Sequence, residues 1–186
     1  MLRRLRRFAI VATVLTGAVW AAFEFGPSID PRQRLPEDVA LLTTSTWDRF
    51  EAAFPAQAGC LTDVELELVD EVPGGAARYI ASERLILIEI PTSPRSYVES
   101  LTHELAHHID SSCGAELAIG TAIRQAQGIP PQETWEGVEA WEARPSEQFA
   151  ETVVQYVTAD RYTHADVIDV SEEALGIVRE WATGQS

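Results

Sequence analysis

Lysine is absent from these 186 residues: all fourteen basic side chains are arginine, set against 29 acidic ones for a formal charge of −15. Removing the first 25 residues takes away 4 basic and 1 acidic side chain, leaving 10 against 28 and a formal charge of −18. Nucleic acid is thereby excluded as a partner, because neutralising a phosphate backbone requires a basic surface. The acidity is read as solubility rather than as an acidic-patch function. Long apolar runs are scarce as well, and there is no internal repeat and no low-complexity tract. Residues 27–186 are long enough for one domain with a substantial core.

The one long apolar run opens the chain. Arg3, Arg4, Arg6 and Arg7 precede an uncharged stretch of 16 residues, Phe8 to Phe23, ended by Glu24 and Gly26-Pro27. At 1.5 Å per residue it spans about 24 Å, short of a ~30 Å hydrocarbon core and long for a signal-peptide core. Val19-Trp20-Ala21 makes a poor cleavage site. Residues 1–26 are therefore expected to be a signal anchor or a signal peptide. Both export the domain, either tethered to the membrane through this segment or secreted, with the arginines holding the N-terminus in the cytoplasm.

Cysteine is nearly missing too. Cys60 and Cys113 are the only two, both in the exported part. In an oxidising compartment an even pair is most simply a disulfide. The competing reading makes Cys113 a metal ligand, since it falls six residues after His107, where metzincins place their third ligand. The spacer His108-Ile109-Asp110-Ser111-Ser112 lacks the glycine that allows that chain reversal.

Only four histidines are present, and two of them stand in His103-Glu104-Leu105-Ala106-His107. On an α-helix, residues four apart differ by about 40° in azimuth, so both imidazoles leave one face and can hold one metal ion. Glu104 lies about 100° around, where its carboxylate can reach a water on that metal. This is the H-E-x-x-H arrangement of zinc peptidases, two imidazole ligands and a general base. Tyr97, Leu101, Leu105 and Ile109 recur at intervals of four, predicting an amphipathic helix over Ser96 to Asp110, capped by Ser93 or Ser96. His108 reads as a surface or packed histidine. Asp110 reads as a helix-end aspartate, with orientation of His107 as the alternative.

Around this helix the periodicity predicts a helix over Pro36 to Phe54, then a half-buried strand with Val64, Leu66 and Leu68 on one side. Two more strands are expected over Ala77 to Ala81 and Arg84 to Ile90, the second buried in part on both faces. Helices are expected over Gly114 to Gln127 (weakened by Gly120), from Pro145 to about Thr158, and from a Ser171 cap to Gly184. The order is that of an α+β domain, a small mixed sheet with helices after it.

A catalytic zinc takes three protein ligands. The best third candidate is Glu147, forty residues beyond His107 in the helix after Pro145. Glu151, one turn on, is placed to accept the second ring N–H of a ligating histidine. H-E-L-A-H with this later E-x-F-A-E helix resembles the gluzincin branch of zinc metallopeptidases, and the second motif resembles the anthrax lethal-factor type of catalytic domain. The resemblance covers Leu85 to about Thr158. It implies a zincin-like fold, Zn2+ on His103, His107 and Glu147, Glu104 as catalytic base and acid, and Glu151 behind the ligands. It also implies an edge strand that aligns an extended peptide. The family's transition-state donor has no motif match, and Tyr156, Tyr162 and His164 are candidates by residue type alone.

The expected function is an exported zinc metallopeptidase acting on a peptide or protein substrate. A zincin-fold binding or structural module without catalysis is the second reading, kept open by the missing donor and the lack of a visible propeptide. A metal-dependent hydrolase of a non-peptide amide would use the same residues.

Overall fold

The structure, a computed structural model, describes residues 28–29, 36–90, 93–137, 140–159 and 168–185. Residues 1–26, expected to be a signal anchor or signal peptide, and Tyr162 and His164 lie outside the described residues. No helix among the described residues is long and apolar enough to cross a membrane.

Helix α1 (Glu37–Ala53) carries Glu37 and Asp38 in its first turn, where negative charge suits the helix dipole. Val39, Thr43, Thr46, Trp47 and Phe50 form its buried stripe. The sheet is small and mixed, in the order β1-β2-β4-β3. It consists of β1 (Ser28–Ile29), β2 (Glu65–Val69), β3 (Ala77–Ile80) and β4 (Leu85–Glu89). Strands β1 and β4 run parallel to β2, while β3 pairs antiparallel with β4 and forms an edge. In β2 the alternation of buried Leu66 with exposed Glu65 and Glu67 matches a strand with one face on the core. In β4, Ile86 and Ile88 are buried, whereas Leu85 and Leu87 are only half-covered and Ile90 is 62% exposed. The run is thus covered in part on both faces, as expected, with full burial on the side that carries Ile86 and Ile88, where the core packs.

Helix α2 (Pro94–Cys113) starts two residues earlier than its apolar period suggests. Ser93, not Ser96, caps it: the Ser93 hydroxyl oxygen accepts from the Ser96 amide at 3.1 Å, with Pro94 in the first turn. It ends at Gly114, whose φ of +69° is the left-handed conformation that glycine adopts without strain. Tyr97, Leu101, Leu105 and Ile109 are all 0–1% exposed. This helix packs against α1, β3, β4, α3 (Ala115–Ala126) and α4 (Pro145–Thr158). Helix α5 (Glu172–Thr183) closes the far side against α3 and α4, where Phe54, Tyr156, Phe149 and Trp181 meet edge-on at 5.7–6.1 Å. Among the described residues, five α-helices and a small mixed sheet make a mixed α+β domain.

Cys60 and Cys113 are joined, with Cα atoms 5.3 Å apart across 53 residues. The bond ties the chain entering β2 to the last residue of α2 and removes Cys113 as a metal ligand. It belongs to a non-reducing environment.

Candidate metal centre

Helix α2 turns one stripe into the core and presents His103 and His107 beside it, towards α4. On α4, Phe149, Val153 and Val157 anchor the buried side, which leaves Glu147 in the first turn facing the two imidazoles. Three atoms converge. The Nε2 of His103 stands 3.0 Å from Glu147 Oε2 and 3.1 Å from the Nε2 of His107, which in turn is 3.4 Å from Glu147 Oε2. This group could hold a metal ion. The other ring nitrogen of His103, Nδ1, donates to Glu151 Oε1 at 2.9 Å, and Glu151 is itself 3% exposed.

The electrostatics follow from that packing. Burial alone would lower the pKa of His103, but the hydrogen-bonded carboxylates of Glu147 and Glu151 override it and push the pKa up to about 10. Burial acts on Glu147 in the opposite sense, yet its hydrogen bonds to both imidazoles hold the carboxyl well below the usual range. The group is one preorganised cluster in which two imidazoles face two carboxylates.

Glu104 is 7% exposed and points to the sheet edge, where its Oε2 accepts from the Tyr79 amide of β3 at 2.6 Å. Burial raises its pKa against the pull of His103 and His107. A cleft of about 980 Å³ opens between β3 and α4, lined among others by Tyr79, His103, Glu104, His107, Trp141 and Glu147. Trp141 stacks near His103, with ring centroids 6.0 Å apart and planes at 25°. Neither Tyr79 nor Trp141 stands out in the sequence as a site residue. Tyr79 becomes one only through the strand order, and Trp141 through the fold of a loop without periodicity.

The remaining candidates lie elsewhere. His108 is fully buried and bonded to Tyr79 and Thr62, a packed histidine. Asp110 does not orient His107: its carboxylate accepts from the Glu116 amide and from Trp135 Nε1, which fastens the loop before α4. Trp135 lies against Gly120, where a Cβ would stand 3.0 Å from the ring, so the glycine that weakens α3 makes room for the tryptophan. The Tyr156 hydroxyl donates to the Ala53 carbonyl and serves packing. Comparison with protein-family models, with curated proteins and with solved structures finds no match for this chain.

Proposed function

We propose that the protein is an exported zinc metallopeptidase with a zincin-like fold. The observation that carries this reading is the convergence of His103, His107 and Glu147 in one cleft with Glu104. Ligands bound to a tetrahedral zinc at ~2.0–2.1 Å lie about 3.3 Å from one another. The three candidate atoms are 3.0, 3.1 and 3.4 Å apart. Two imidazoles and a carboxylate also form the usual donor set of a catalytic zinc with one open position. Zinc bound there would supply a Lewis acid and a water acidified towards neutrality.

The chain's own residues account for the rest. Glu104 takes the proton from the attacking water and returns it to the leaving amine, held in place by the Tyr79 amide and made more basic by burial. Glu151 fixes the ring of His103. The Ala76 carbonyl accepts from Glu89 of β4, so residues 77 and 79 turn their backbone groups away from the sheet and towards the cleft. With the residue 79 amide held by Glu104, the remaining backbone groups of that edge would take an extended peptide. Glu104→Gln is expected to keep stoichiometric zinc while peptide cleavage falls at least ~10²-fold, since only the base is lost. Cleavage by this variant at the wild-type rate would overturn the mechanism.

One observation favours the second reading, a zincin-fold module that binds without cleaving: Tyr156 is committed to Ala53, away from the cleft. A peptide-library cleavage assay on the zinc-loaded protein separates the two. Placement outside the cytoplasm is supported by the disulfide, and residues 1–26 would serve as anchor or signal. Mass spectrometry of the native protein reads this directly: an intact N-terminus in the membrane fraction supports the anchor, and a soluble chain beginning near Ala22 refutes it.

A further inference from the structure

Glu104 and His108 are four residues apart on α2 and therefore share a face, and one residue of β3 engages both. The Tyr79 amide donates to Glu104 Oε2 at 2.6 Å, and the Tyr79 hydroxyl lies 3.0 Å from His108 Nδ1. The histidine's protonation pattern follows from its other partner. Its Nε2 stands 2.9 Å from the Thr62 carbonyl oxygen, which can only accept, so Nε2 carries the hydrogen. Nδ1 then presents a lone pair and the Tyr79 hydroxyl donates to it. The Ser112 hydroxyl, at 3.5 Å, is the more distant neighbour of that nitrogen. The two rings meet edge-on, 5.4 Å apart at 70°. Thr62 is itself tethered, two residues after Cys60, whose disulfide partner Cys113 ends α2.

We infer that Tyr79 and His108 are positioning residues for Glu104: the side-chain bond between them sets the register of edge strand β3 on helix α2, and thereby the point at which the backbone amide holds the carboxylate. The catalytic part of this inference rests on the metallopeptidase reading, while the geometric part does not. A slip of β3 by one residue would bring residue 78 or 80 opposite Glu104, and their amides point to β4. The backbone bond to Glu104 thus exists only in the register that the β4 ladder and the Tyr79 hydroxyl share. Neither residue has to touch substrate for this. Their removal is expected to change turnover more than substrate binding.

The test uses the full chain with zinc bound. Tyr79→Phe deletes only the hydroxyl and keeps the ring and the backbone amide. Loss of the part-buried bond to His108, together with the hydroxyl's contact to Ser111, is expected to speed hydrogen exchange at the residue 79 amide by about tenfold, read by NMR. A similar fall in kcat should accompany it, larger than any change in KM, with zinc content unchanged. Val178→Ala, a cavity in α5, serves as a destabilised control and should leave both the residue 79 amide and kcat at wild-type values. Exchange at residue 79 no faster in Tyr79→Phe than in Val178→Ala would overturn the inference, as would a change in KM with kcat unmoved. If the wild-type chain cleaves no peptide, the metallopeptidase reading falls alone, and the exchange rates still decide whether the hydroxyl holds the strand.

Discussion

Both ring nitrogens of His103 meet carboxylates from a single helix, and the two contacts have unequal consequences. Glu147 shares its Oε2 with the Nε2 atoms of His103 and His107, so it stands where a metal would bind. Glu151 touches only Nδ1, on the far side of the ring. Removing a group that merely orients a ligand weakens metal binding by about 10–100-fold. On the proposed zinc reading, Glu147→Ala is therefore expected to lose the metal to a competing chelator more readily than Glu151→Ala does, and both more readily than wild type. The reverse ranking would move the third ligand to Glu151. His103, Glu104 and His107 were legible as a set because helix geometry alone puts them together. The distances that join them to Glu147 were not, because no local rule relates two helices forty residues apart.

At the scale of elements, the position of Glu147 depends on how the stretch between α3 and α4 is pinned. Trp135 does this with several contacts. Its Nε1 donates to Asp110 at 2.6 Å, its carbonyl accepts from Ser146 at the start of α4, and its ring lies on Gly120 under the Arg124 guanidinium. Two effects compete at Gly120. Alanine gains up to ~1 kcal/mol in a helix interior through backbone entropy. Its Cβ would stand 3.0 Å from a ring that Asp110 prevents from withdrawing, and such overpacking costs about 1–3 kcal/mol. Gly120→Ala is accordingly expected to destabilise by about 1 kcal/mol in urea unfolding, the strain exceeding the entropy gain. A gain in stability would mean that the ring gives way. Periodicity predicts every long helix here and three of the strands, and the bounds of α4 coincide with those expected from Pro145 and Thr158. Strand β1, two residues long, has no run to be read from.

Over the whole molecule, the disulfide and the candidate metal group act on the same helix. Cys113 closes α2 at one end and the histidines occupy its middle, so the bond holds the segment bearing Thr62 against the helix that carries the site. Closing a loop of 53 residues stabilises the fold by about 4 kcal/mol on the chain-entropy estimate. Unfolding with and without reductant should differ by about that amount, and a difference near zero would mean that packing alone holds these segments together. The sequence by itself determined the features that depend on neighbours along the chain. The H-E-x-x-H face, the core stripe of α2, the alternation in β2 and the α+β order all come from periods of 3.6 and 2. Two cysteines allow a single intramolecular bond, but that Cys113 forms it rather than ligating a metal was decided by the structure. Only the tertiary structure decided the features that depend on elements meeting. It made β3 the edge beside Glu104, turned Asp110 from the metal group to Trp135, committed Tyr156 to Ala53 and brought Trp141 over His103. Each is a contact between residues at least 25 positions apart, governed by packing and strand order, and neither leaves a period in the chain.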